Sequence, residues 1–133
     1  MARVDRTHLV SNGLDLVPTC CDWAGSVPPP GLPGRSLRIL VEDARPHPWR
    51  DSVPVESVVG RAVITDRFKY CRYDIGANSE QLYDLESDPG EMHNEMDNHL
   101  HRHMIENMKA SFQVTFGCEQ RLAADVLCAA TEA

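Results

Sequence analysis

Apolar positions along this chain change their period twice, and each change marks a new kind of element. Val17, Cys20, Cys21 and Ala24 recur at i, i+3, i+4 and i+7, the spacing of one helical face. Asp15 is placed to cap that helix, Pro18 falls in its first turn, and Gly25 stands where a left-handed stop is needed. Residues 26–34 carry Pro28-Pro29-Pro30 and Pro33, which predicts a stiff extended crossing. A short helical turn or strand is expected over 36–41, and loop around Pro46 and Pro48. From residue 52 the period falls to two, predicting strands over 53–56, 61–65, 68–73 and 81–85. Pro54 confines the first to an edge or a strand end, and Asp66-Arg67 is the tip of a hairpin between the second and third. Connections this short join only antiparallel neighbours.

Asp88-Pro89-Gly90 then reads as a turn: Asp bonds its own backbone, Pro presets φ, and Gly tolerates positive φ. Leu100, Met104, Met108 and Phe112, four apart, predict a helix over 100–112 with Asp97 or Asn98 as its cap. Gly117 breaks that pattern, and Leu122, Val126 and Ala130 mark a second, Ala-rich amphipathic helix. The expected fold class is α+β: a small antiparallel β-sheet of about four strands packed with a C-terminal helix. A helix and a Pro-rich loop precede it. Three segments follow, 1–50, 51–116 and 117–133.

Composition narrows the function. The 133 residues, 42% hydrophobic, suffice for one compact domain. A net charge of −7 with no basic run argues against a nucleic-acid partner. No apolar stretch approaches the roughly 18 residues of a membrane span, and the N-terminus lacks the apolar core of a signal peptide. A cytoplasmic location is the resulting default. The five cysteines, Cys20, Cys21, Cys71, Cys118 and Cys128, are odd in number and form no C-x-x-C pair. Small buried hydrophobes is their simplest role.

Candidate chemistry is sparse. On a helix, His99 and His103 share a face at a spacing able to bind zinc, with His93 or Glu106 as an added ligand. A site needs three or four ligands, so a polar, His-rich helix face is the competing reading. Arg67, Lys69, Arg72 and Asp74 are the candidates for contact with an anion, but strand alternation sends Lys69 and Asp74 to opposite faces. Charges on a solvated sheet face are the plainer account. Gly34-Arg35-Ser36 lacks the second Gly of a nucleophile elbow and reads as a turn. Trp23 and Trp49 read as packing residues. No residue is assigned a catalytic, cofactor-binding or metal-binding role.

The segment Leu82-Tyr83-Asp84-Leu85, followed by Asp88-Pro89-Gly90-Glu91 and Asn94, closely resembles the LYDLxxDPxExxN signature near the C-terminus of the sulfatase family. Three further stretches resemble the same family in order and rough spacing: residues 10–19 continuing through Asp22-Trp23-Ala24-Gly25, residues 31–37, and Thr65-Asp66-Arg67-Phe68-Lys69-Tyr70. On this resemblance, 1–50 is the tail of the α/β domain of a sulfatase within the alkaline-phosphatase-like superfamily. Residues 51–116 are then its C-terminal antiparallel subdomain, and 117–133 have no counterpart there.

The resemblance implies a sulfuric ester hydrolase that uses a formylglycine made from a C-x-P-x-R or S-x-P-x-R motif and a divalent cation such as calcium. Neither motif occurs in this sequence. The paired aspartates of the family's metal site belong to a first strand that has no match here. The expectation is therefore a C-terminal, truncated portion of a sulfatase-like hydrolase, without cofactor and inactive alone. The alternative is a non-catalytic interaction or oligomerisation module on the same scaffold. Either way, the N-terminal or the C-terminal helix is expected to offer a surface for a homo-oligomer.

Overall fold

A computed structural model of the chain describes residues 4–42 and 47–131, with 118–131 as backbone alone. Pro46, the side chains of Cys118 and Cys128, and the expected Leu122, Val126 and Ala130 face lie outside the described residues. Two compact units divide the chain, residues 1–53 and 54–133.

In the first unit, α1 spans Asn12–Trp23 and α2 spans Arg38–Glu42. The helix stop is as expected. Gly25 takes φ +67, its N–H donates to Asp22 O (3.2 Å), and the Ser26 N–H donates to Cys21 O (2.8 Å). These two bonds satisfy carbonyls that the helix end leaves open, and only Gly adopts that conformation without a Cβ penalty. The start differs from expectation: Ser11 is the N-cap, and Asp15 lies one turn inside. The inward face differs as well. Asp15, Pro18 and Thr19 are buried, whereas Val17, Cys20, Ala24 and Trp23 are exposed and Cys21 is half-buried. Thr19 Oγ1 accepts the Leu37 N–H (2.9 Å), and Ser36 Oγ donates to Asp22 Oδ2 (2.6 Å). The polar stripe of α1 therefore grips residues 34–38. Gly34 permits that approach, since a Cβ there would stand 1.7 Å from the Leu14 carbonyl oxygen.

In the second unit, β1 (Val53–Ser57), β2 (Gly60–Ile64), β3 (Phe68–Tyr73) and β4 (Glu80–Asp84) form one sheet in the order β1-β2-β3-β4. The strand bounds agree with those expected to within a residue. β2 pairs antiparallel with β3 through Ala62↔Cys71, and β3 with β4 through Tyr70↔Leu82. Thr65 closes the β2–β3 hairpin, its Oγ1 accepting the Phe68 N–H (2.9 Å). Two 3₁₀ turns, Glu95–Asp97 and His99–His101, lead into α3 (Arg102–Thr131). Asn98 caps the second turn by accepting the Leu100 N–H (3.0 Å).

α3 covers one sheet face. Val63, Phe68, Tyr70 and Leu82 meet Met108, Phe112 and Phe116, with Tyr70 edge-on to Phe112 at 5.4 Å. Leu100 is excluded, being 77% exposed in its 3₁₀ turn, and Phe116 extends the stripe instead. The expected break at Gly117 is absent: the backbone stays helical through it. A helix-interior Gly costs only about 1 kcal/mol relative to Ala, too little to end a helix already anchored by packing.

Candidate functional site

Alternation along β3 decides which side chains share a surface. Tyr70 and Phe68 face α3, so Lys69, Cys71 and Tyr73 face the other way, beside Tyr83 across the ladder. Arg72 and Asp74 lie on the α3 side, where they line a small recess with Arg61 and Phe112. The four candidate anion contacts are thus dispersed. Each well-placed cation is also engaged. Lys69 Nζ donates to Glu91 Oε2 (2.6 Å), and Arg67 grips Asp84 through Nε (3.1 Å) and Nη2 (2.8 Å). Asp84 is buried, and the Arg67 guanidinium beside it holds its carboxyl well below the usual carboxylate range. On the helix side, Glu80 accepts from Tyr70 Oη (2.9 Å) and from Lys109 Nζ (2.5 Å), tying β4 to α3.

Around the Asp88 turn the polar groups are again consumed by architecture. Asp88 Oδ2 accepts the Met92 and His93 N–H groups (2.7 and 2.8 Å). The positive φ anticipated at Gly90 sits one residue later, at Glu91 with φ +54. The Asn94 amide lies against β4, with Oδ1 accepting the Leu82 N–H (3.0 Å) and Nδ2 donating to Glu80 O (3.3 Å). Sequence reasoning assigned no role to Asn94 or Glu91; their place within one motif was the signal.

The histidines do not converge. His99 belongs to a 3₁₀ turn and His103 to the first turn of α3, so the shared helical face is not formed. His101 stacks edge-on to Phe68 at 5.6 Å, His93 lies beside Asp88, and His103 bonds Asn107. Among the described residues, no group of three or more His, Cys, Asp or Glu side chains is arranged to hold a metal ion. Among the described residues, the donor set does not fit the divalent cation of a sulfatase, and no Cys or Ser motif in the sequence fits a formylglycine. Cys71 is buried against the sheet and Cys20 is exposed, the latter contrary to its expected packing role. Burial pushes the Cys71 thiol up, away from the thiolate a nucleophile needs. A cleft of about 500 Å³ between the 3₁₀ turns and α3 sets Arg102 and Lys109 against Asp97 and Glu106, so it presents no single sign of charge.

The densest polar constellation is in the first unit. Asp15, fully buried, accepts from the Ser11 N–H (2.9 Å), the Arg35 N–H (2.9 Å) and both terminal nitrogens of Arg50, Nη1 at 2.7 Å. Burial alone would raise its carboxyl, but Arg50 and the two N–H groups outweigh it and hold it below the usual range. The guanidinium groups of Arg35 (5.8 Å) and Arg50 (5.2 Å) each lie over the Trp49 ring, and Trp49 Nε1 donates to Leu9 O (2.7 Å). Trp49 is therefore the packing residue expected, and Trp23, 56% exposed, is not. No helix among the described residues is long and apolar enough to cross a membrane.

Comparison with known proteins returns one consistent picture. The family model described as N-sulphoglucosamine sulphohydrolase, C-terminal, matches residues 1–115. A Delta 4,5-hexuronate-2-O-sulfatase of Bacteroides thetaiotaomicron is 37% identical over 96 residues, covering 65% of this chain and 20% of its own length. The chain spans about a fifth of the length of the curated relatives it matches. A solved 2-O GAG sulfatase superposes with a TM-score of 0.75 at 28% identity, over 89% of this chain and 27% of that one. A phosphonate monoester hydrolase of Agrobacterium radiobacter shares the fold alone, with a TM-score of 0.57 at 23% identity.

Proposed function

Since the chain belongs to the sulfatase family, as its N-sulphoglucosamine sulphohydrolase C-terminal domain, we propose that it serves as the C-terminal part of a sulfuric ester hydrolase. In this reading it supplies scaffold rather than chemistry. The observation that carries it is the interlocking of the family motifs. Arg67 of one closes on Asp84 of another, Lys69 closes on Glu91, and Asp15 gathers backbone from both sides of the Pro-rich crossing. Residues spent in this way hold a shape and, among the described residues, leave no activated nucleophile or preorganised cationic cluster. Hydrolysis of a sulfate monoester needs both together.

The chain alone is therefore expected to lack turnover of a chromogenic aryl sulfate, with or without added calcium or magnesium. The comparison is with Arg72→Ala and Cys71→Ala variants of the same protein. Metal-dependent turnover that either substitution abolishes would reveal an active site in this chain and sink the reading.

A further inference from the structure

An asparagine can modify itself when the backbone nitrogen that follows it attacks its side-chain carbonyl. The approach is least crowded where the next residue is Gly, which has no Cβ. This chain carries one such pair, Asn12-Gly13. The other asparagine amides are mostly held. Asn94 Oδ1 accepts the Leu82 N–H (3.0 Å), Asn98 Oδ1 accepts the Leu100 N–H (3.0 Å), and Asn107 Nδ2 bonds His103 Nδ1 (3.1 Å). Among the described residues, the side chains of Asn12 and Asn78 alone make no such bond, and both residues are exposed. Asn78 precedes Ser79, whose Cβ stands in the way of attack. At Asn12 the attacking nitrogen is free as well. Ser11 holds the N-cap position of α1, yet its side chain makes no capping bond, so the Gly13 N–H lacks an acceptor. The helix is the restraint. Attack requires rotation about the Asn12 Cα–C bond, which lies between two residues tied twice. The Asp15 N–H donates to Ser11 O (2.8 Å), and the Ser11 N–H donates to Asp15 Oδ2 (2.9 Å).

We propose that Asn12 is a site of spontaneous deamidation in this protein, and that its isoaspartate product releases Ser11 from Asp15. In the first step the Gly13 nitrogen bonds to Asn12 Cγ, gives up its proton and expels the side-chain nitrogen as ammonia, which closes a succinimide ring. Water then opens the ring at either carbonyl. One water is consumed, one ammonia is released, and the chain gains one carboxylate. Opening at Cγ restores the ordinary backbone with Asp at position 12, whose charge suits a helix N-terminus. Opening at the backbone carbonyl leaves the main chain running through Cγ, as isoaspartate. That product inserts one extra carbon into the first turn of α1, so the two Ser11–Asp15 bonds cannot both keep their register. The two products therefore differ in their effect on the buried Asp15 constellation: aspartate leaves it intact and isoaspartate loosens it.

The test incubates the whole chain and its Gly13→Ala variant at mildly alkaline pH. The variant is sterically permitted, since a Cβ at Gly13 meets only Ser11 Oγ, at 3.9 Å. Peptide mass spectrometry follows each asparagine, and anion exchange separates the products that have gained a charge. In the parent, Asn12 is expected to convert ahead of Asn78; in Gly13→Ala its conversion should slow by about tenfold or more, because the added Cβ crowds the attacking nitrogen. Both tryptophans lie in the first unit, so their emission during urea unfolding reads the constellation around Asp15. The isoaspartate form should unfold at a lower urea midpoint than the parent, and the aspartate form at the same one. Conversion of Asn78 ahead of Asn12, or an unchanged rate in Gly13→Ala, would overturn the site. An isoaspartate form that keeps the parent's midpoint would overturn the release of Ser11.

Discussion

Replacing Asp15 by Asn keeps the shape of the buried side chain and deletes its charge. Arg50, only 10% exposed, would then face a neutral amide in place of a carboxylate. Removing one partner of a buried pair costs about 3–5 kcal/mol, because the stranded charge keeps its desolvation penalty. Two backbone donors, Ser11 and Arg35, also share the carboxylate, so the full range is available to Asp15→Asn. Arg50→Met should cost less, since Asp15 retains those two N–H groups. The double variant should cost less than the sum, with a coupling of about 1–3 kcal/mol.

Both tryptophans, Trp23 and Trp49, lie within residues 1–53, and all three tyrosines lie within 54–133. Urea unfolding followed by tryptophan emission thus reads the first unit, and near-ultraviolet circular dichroism of tyrosine the second. The sign of the pH dependence is fixed by the lowered carboxyl of Asp15. Its stabilisation is fully present above the ordinary unfolded value of about 3.9 and is lost as pH falls through the folded one. The tryptophan transition should therefore lose stability below about pH 4 in the parent protein, and that component should vanish in Asp15→Asn. A tryptophan-monitored Asp15→Asn transition within about 0.5 kcal/mol of the parent would refute the reasoning, since that is the scale of a neutral surface change.

Two further outcomes concern the signature loop. Asn94→Ala leaves the Leu82 N–H without its acceptor and should cost about 1–3 kcal/mol, seen as faster hydrogen exchange at that amide; unchanged exchange would contradict the bond. Glu91→Gly and Glu91→Ala both remove the Lys69 pair, but only Gly relieves the left-handed backbone, so Gly should be the more stable by about 1 kcal/mol in urea unfolding. Equal midpoints would mean that the φ of Glu91 is not strained.

The sheet was legible because its information is local. Alternation from Val53 to Asp84 and the Asp66-Arg67 tip act within a few residues, and strand bounds followed. The orientation of α1 was not legible. Its Val17, Cys20, Cys21, Ala24 pattern obeys the helical period, but the group that decides which face turns inward is Arg50, 35 positions from Asp15. A pattern rule ranks Asp below Val for burial and has no term for a partner that distant. The helical face expected to hold both His99 and His103 is not formed, for a related reason. Their spacing binds metal only on an unbroken helix, and Asn98 instead caps a 3₁₀ turn that puts His99 outside α3. Lys69 and Asp74 did project to different faces, because alternation alone settles it.

The amide of Asn94 has a consequence for how the protein behaves when crowded. A margin of sheet with open N–H and C=O groups is a template onto which any extended chain can add. Along β4 that invitation is withdrawn: the Leu82 N–H and Glu80 carbonyl are held by Asn94, and the Asp84 carbonyl by the Asp88 N–H. On the opposite margin, Pro54 of β1 has no N–H to offer. Among the described residues, the sheet thus offers little continuous ribbon for an extended chain to lengthen on the β4 side, and a broken one on the β1 side.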